Sequence, residues 1–371
     1  MSGYQVLERD FSSFFDVPFA QYGEGQRYVS PLRSDLAVLL DGDRNPSFRG
    51  RDRVTFFTVV RDGVPMGRIS AQIHDAANER WDAHSGSFGF FDCADDPVVS
   101  RLLILAASTW LSERGCDDMV GNFNLTAMQE IGVVTEGHDR APFLAQVHNP
   151  SWTAALLERS GLEPTFPMTS WRLPLRHVDP ASLRGPRQEQ LAGEPTFSVT
   201  PVTRGNFRRS MAATHELLNA SFDDNPFFVP LDRSEFELQA SQMLWILDPR
   251  ISFIVHLNGA PAGVIACLPD VNPLLRRTRS RLSFSTPWHY ARFRARRRRA
   301  TLVFGGVRPE LQNRGMAGLL LEHAIRGLQG AGYDELGITW ISDSNHPSLR
   351  QMEKLGAERL HRLALYRRSL S

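Results

Sequence analysis

The sequence predicts an α/β protein built from two related units. Three observations predict it: a composition able to fill two cores, a pattern that recurs at one fixed offset, and a strand–loop–helix–strand segment in the second half. At 371 residues, with 42% hydrophobic and 22% charged residues, the chain is long enough for two domains that each bury a core. Its three cysteines, Cys93, Cys116 and Cys267, have neither metal-ligand nor redox spacing, so a reducing compartment is expected and no disulfide framework. The N-terminal residues include early acidic side chains and no uninterrupted apolar core, unlike a signal peptide. No window approaches the ~20 apolar residues that span a bilayer. The expected location is the cytoplasm, at most peripheral on the inner face of the membrane.

The repeat is the first element. VVRDGVPMGRISAQI (59–73) aligns with VHLNGAPAGVIACLP (255–269) at an offset of 196. Each reads as a hairpin whose turn is Asp62-Gly63 or Asn258-Gly259, pairs that favour the positive φ angles of tight hairpin turns. NPSWTAALLERSGLE (149–163) matches NHPSLRQMEKLGAE (345–358) at nearly the same offset, and both read as Asn-capped helices stopped by Gly161 or Gly356. The predicted units are 1–178 and 190–371, joined by a polar, Pro/Gly/Arg-rich linker over 176–196.

The segment 300–341 carries the chemistry. ATLVFGGV is a β-run in which Gly305 and Gly306 permit a bulge or splay, and Pro309 breaks it. From Gly315 the apolar positions Met316, Leu319, Leu320, Ala324 and Leu328 follow helical spacing. Gly330 and Gly332 end that helix, and ELGITWI is the next strand. Between strand and helix, Gln312-Asn313-Arg314-Gly315-Met316-Ala317 fits (Gln/Arg)-x-x-Gly-x-(Gly/Ala). Unpaired amides at a helix start and the positive end of its dipole suit phosphate. Gly315 and Ala317 let the backbone approach closely, and Arg308 and Arg314 add charge. The chain has no P-loop, no G-x-G-x-x-G at a strand end and no H-E-x-x-H, so no metal is expected.

The order of these elements, from hairpin 251–268 to the last strand 360–369, resembles the cofactor-binding core of the GNAT acyltransferase superfamily. The resemblance implies tandem GNAT folds, each a mixed, mostly antiparallel sheet flanked by helices. It implies a coenzyme A thioester as cofactor, its pyrophosphate on the amides of 312–317, its thioester near Val307, and Asn345 on the cofactor arm. Many members place a tyrosine in the last helix as acid; Met352 stands there. In the first unit Asp95 and Asp96 occupy the phosphate position, so that copy reads as degenerate, shaping an acceptor site. F-x-x-x-P-x-x-x-Y (approximated by Phe15, Pro18 and Tyr22), D-G-x-x-x-G-R-I (62–69), P-D-x-N (269–272) and G-V-x-P-E (306–310) resemble a bacterial two-unit family near the ceramide synthases. That implies an N-acyltransferase with an amphiphilic amine acceptor such as a sphingoid base. Short-chain acetylation of a soluble amine and non-catalytic acyl-CoA or lipid binding are the alternatives.

Two further features complete the reading. The insert 270–299 holds ten arginines between Arg276 and Arg299 and no acid after Asp270, on a chain of net charge +1. Interleaved with aromatic residues, it fits an anionic membrane surface or an acyl carrier protein, with nucleic acid ranked last. An amine attacks only after losing its proton. The candidate bases are Glu130, Glu136, His138, Asp139, His148, Asp270, Asp343 and His346, of which Asp343 and His138 are preferred.

Overall fold

The computed structural model describes residues 3–23, 27–48, 50–126, 130–221 and 229–370. Its strands are β1 (Tyr4–Glu8), β2 (Val54–Arg61), β3 (Val64–Gln72), β4 (Ser85–Cys93), β5 (Asp118–Gly121), β6 (Val133–Glu136), β7 (Glu163–Pro174), β8 (Ser198–Pro201), β9 (Phe253–Leu257), β10 (Ala260–Pro269), β11 (Arg299–Val307), β12 (Glu335–Ser342) and β13 (Glu358–Ser369). They form one sheet ordered β1-β2-β3-β4-β5-β13-β7-β12-β11-β10-β9-β8, with β6 also on β13. Among the described residues only β4–β5 and β11–β12 pair in parallel. The fold is thus tandem and mostly antiparallel, in one continuous sheet.

The two ends of this order mirror each other, as the sequence repeat requires. Both hairpin turns have positive φ: 50° and 79° at Asp62-Gly63, 53° and 74° at Asn258-Gly259. In equivalent register, Gly67 faces Cys93 and Gly263 faces Val307. What the repeat did not reveal is the exchange at the centre. The last strand of the second half, β13, lies against β5 of the first, and β7 of the first lies against β12 of the second. Each half therefore completes its ladder with a strand from the other, and β13 and β7 pair along their length.

Each half keeps its own core. Helix Pro97–Ser112 buries Val99, Leu103, Ala107 and Leu111 over the first. Helix Met316–Gly330 buries Met316, Leu319, Leu320, Ala324 and Leu328 over the second. One expectation is corrected. Asn149 does not cap the first repeat helix, which starts at Thr153; its side-chain oxygen accepts from the Val134 amide at 2.7 Å instead. Within the linker segment, Pro186–Ala192 forms a helix whose Leu191 packs into the second core.

The family-like motifs of the first half converge on one buried charge. Arg68 is wholly buried. Its Nε donates to Asp92 Oδ2 at 2.7 Å and its Nη1 to the Phe14 carbonyl at 3.2 Å. Tyr22 donates to Asp92 Oδ1 at 2.7 Å. Tyr22 and Arg68 thus lock helix Phe11–Gln21 to the sheet. Nearby, burial pushes Glu130 up to about 7, even though it accepts from Asn124 Nδ2 at 2.8 Å. Such an acid is more protonated folded than unfolded, so its cost appears as pH rises from its ordinary range through about 7. Glu130→Gln is expected to raise stability by ~3 kcal/mol at mildly alkaline pH and by nothing in acid. Urea midpoints over a pH series test this, and a pH-independent difference would refute it. His148 has the opposite sign: burial and His361 drive it down to about 4, so its cost grows as pH falls.

Candidate active site

β11 and β12 pair only where Arg299–Leu302 faces Glu335–Ile338. Beyond Leu302, β11 continues to Val307 along β10 alone, so the two parallel strands part. The Val307 carbonyl is held by Ser221 Oγ at 3.0 Å and Gln312 Nε2 at 3.4 Å. Beside it a groove of about 310 Å³ runs between Leu217, Ala220, Pro261, Arg308, Pro309 and Glu310.

A one-turn 3-10 helix, Pro309–Leu311, leads into the loop. Asn313 and Gly315 adopt positive φ of 59° and 98°, which turns the chain sharply into the helix at Met316. Leu319 is the first amide bonded within that helix, to the Gly315 carbonyl. Among the described residues nothing accepts from the amides of Gly315, Met316, Ala317 or Gly318, and no side chain caps the helix. Met316 is buried in the core, so only its backbone serves the loop. Arg308 is half-exposed, 3.7 Å from Glu310, and Arg314 is exposed.

The linker helix is the part of this site that the sequence did not disclose. Arg187 Nη1 donates to the Asn313 carbonyl at 3.1 Å. A Cβ at Gly315 would lie 3.2 Å from Gln188 Cδ, and one at Gly318 would lie 2.8 Å from Gln188 Nε2. Short polar helices inside a linker carry little periodicity, so no signal marked this contact.

In the first half the equivalent position is closed. Asp96 caps helix Pro97–Ser112 through the Val98 amide at 2.8 Å and accepts from Tyr4 at 2.7 Å. Its parted strands are bridged by side chains: Asn124 Oδ1 accepts from the Phe90 amide at 2.8 Å, and Asn122 Oδ1 from the Phe91 amide at 3.1 Å. This copy holds its place with carboxylate and amide groups where the second half leaves amides open.

Residues 212–357 match the model of the acetyltransferase (GNAT) family. The chain carries a GNAT domain. The chain is 27% identical over 385 residues to "Protein YghO" of Escherichia coli (strain K12), covering all of this chain and 97% of that one. It is 24% identical over 371 residues to "Bacterial ceramide synthase" of Caulobacter vibrioides (strain NA1000 / CB15N), covering 97% and 95%. In fold it is similar to a tandem GNAT protein from the clavulanic acid biosynthesis pathway, with TM-score 0.60, 14% identity and 100% and 99% of the two chains covered. The GNAT family binds acyl-CoA, and open amides at a helix start suit an anion.

The remaining candidates are placed as follows. Asn345 caps the last helix by accepting from the Ser348 amide at 3.2 Å and is exposed. Both oxygens of Asp343 are held by Arg362, at 3.0 and 2.7 Å. His138 Nδ1 lies 3.2 Å from the Asn149 carbonyl. Donation to that carbonyl fixes the tautomer and leaves Nε2 as the basic nitrogen. Asp270 receives the Leu144 amide at 3.1 Å and pairs with Arg299 at 3.3 Å, so the P-D-x-N turn clamps the halves together. Met352 is buried in the second core and offers no acid. Among the described residues no group of His, Cys, Asp and Glu is arranged to hold a metal ion, and no helix is long and apolar enough to cross a membrane.

Proposed function

We propose that this protein is an acyl-CoA-dependent N-acyltransferase whose acceptor is an amphiphilic primary amine, with a long-chain base as the favoured class. The observation that carries the reading is the run of open amides from Gly315 to Gly318 beside strands that part at Leu302. Val307, Arg308, Gln312, Asn313, Arg314, Gly315, Met316, Ala317 and Asn345 form the proposed cofactor set, and Arg187 joins it from the linker. The amine attacks the thioester carbonyl, the oxyanion is met by backbone N–H at the parted strand, and the thiolate leaves. A thiolate needs little help from an acid, which suits the buried Met352. His138 and Asp343 are the proposed proton acceptors. Both oxygens of Asp343 are already engaged by Arg362, which favours His138 of the two. The amphiphilic acceptor draws support from the Caulobacter relative's name and from the arginine- and aromatic-rich insert.

Thiol release from acetyl, medium-chain and long-chain CoA esters, against sphingoid bases and simple soluble amines, tests the reading. Long-chain turnover with the amphiphilic amine is expected. Turnover confined to acetyl-CoA and soluble amines would replace this reading with short-chain acetylation. Tight CoA-ester binding with no thiol release for any amine would replace it with a binding role.

A further inference from the structure

The arginine-rich insert is not one charged surface. Its two helices, Asn272–Thr278 and Thr286–Arg296, sort their residues into two groups. Leu274 and Leu275 are buried. Arg279 stacks on Phe19 at 5.1 Å, and Arg281 pairs with Asp16. Arg297 pairs with Asp248 at 2.9 Å. Arg299 pairs with Asp270 and lies 3.7 Å over the Phe143 ring. These arginines are structural: they join the insert to the first half and to the sheet.

The second group faces outward. In helix Thr286–Arg296 the inner side is Tyr290, which donates to the Trp245 carbonyl at 2.8 Å, and Phe293, packed on Ile246, Leu268, Val271 and Leu275. Four and seven residues after Trp288 come Arg292 and Ala295, the opposite side, and all three are exposed. Phe284 is fully exposed, Leu282 is 66% exposed and Trp288 is 61% exposed. Single exposed apolar residues are ordinary. Three large ones within seven residues, flanked by Arg292, Arg294 and Arg296, are not. Among the described residues no carboxylate forms an ion pair with Arg277, Arg292, Arg294 or Arg296.

We propose that the outward face of residues 282–296 docks onto an anionic lipid bilayer, with Leu282, Phe284 and Trp288 entering the interface and Arg292, Arg294 and Arg296 on lipid phosphates. Charge selects the partner's sign, and the apolar wedge selects a bilayer over a carrier protein or nucleic acid. A bilayer interface takes up Leu, Phe and Trp side chains directly, whereas duplex DNA admits such a wedge only at the cost of unstacking a base step. Guanidinium groups suit phosphate because the planar fork meets two oxygens at once. This inference concerns a surface apart from the cofactor loop, so it does not require the proposed acceptor to be correct.

Vesicle co-sedimentation tests it on the full chain. Phosphatidylcholine vesicles with and without phosphatidylglycerol are the probes, with an acidic acyl carrier protein and duplex DNA in parallel arms. Wild type is expected to bind phosphatidylglycerol vesicles and to lose them as salt rises. The triple variant Arg292→Gln, Arg294→Gln, Arg296→Gln should weaken that partition on the order of 100-fold. The double variant Phe284→Ser, Trp288→Ser should weaken it about tenfold or more. Both variants alter exposed side chains and should leave melting temperature and CoA-ester binding unchanged, which separates loss of docking from loss of fold. Indifference of the wild type to the lipid would overturn the proposal. So would binding that survives both variants, or a preference for the carrier protein or DNA that survives loss of Phe284 and Trp288.

Discussion

Replacing Gly315 by valine is expected to lower affinity for acyl-CoA by about 100-fold or more, measured by calorimetry with a non-hydrolysable CoA ester. Gly315 sits at φ 98°, where an L-residue costs roughly 1–2 kcal/mol and a β-branched one more. A Cβ there would also lie 3.3 Å from Arg187 Cβ and from the Gln188 backbone nitrogen. The linker helix and the loop cannot both keep their places. Any shift of the turn displaces the Gly315–Gly318 amides from a common focus, and each charge-assisted hydrogen bond to a phosphate is worth about 1.5–3 kcal/mol. Gly161→Ala is the control. Gly161 has φ 84° and open space around its Cβ position, so it should cost stability while leaving CoA affinity intact. Equal CoA affinity in wild type and Gly315→Val would remove the loop from the site.

The second large effect is structural. Arg68→Met should destabilise the protein by about 3–5 kcal/mol, because it leaves Asp92 charged, buried and without its cation. Adding Asp92→Asn to that variant should restore much of the loss, since a neutral amide can still accept from Tyr22. Denaturant unfolding at neutral pH gives both numbers, and a loss under about 1 kcal/mol would deny Arg68 this role. The strand exchange adds a second readout. β13 and β7 tie the two halves into one ladder, so hydrogen exchange should report both halves loosening together in Arg68→Met. Loosening confined to the first half would mean that the halves are energetically separate despite their shared sheet.

The sequence by itself determined the features set by local geometry. Asp62-Gly63 and Asn258-Gly259 announce hairpins because few residue pairs accept two consecutive positive φ angles. Gly315, followed by apolar residues at helical spacing, announces a helix entered through a tight turn with its amides exposed. Asp96 announces a capped helix start in the first copy, because a short carboxylate before a proline-started helix accepts from its first amides. These are relations within a few residues, and they carry the family-level reading.

What only the tertiary structure decided is pairing across long separations. Nothing local distinguishes a strand that closes its own half from one that crosses to the other, because alternation of apolar residues is satisfied by either neighbour; β7 and β13 are therefore legible as strands but not as exchanged ones. The same limit hid the docking of Arg187 and Gln188 on the loop that enters the Met316 helix and the capture of Asp343 by Arg362. It also hid the division of the insert's arginines into those spent on Asp16, Asp248 and Asp270 and those left facing solvent. A charge's partner depends on where distant segments meet once the cores are packed, and that placement is a property of the whole chain.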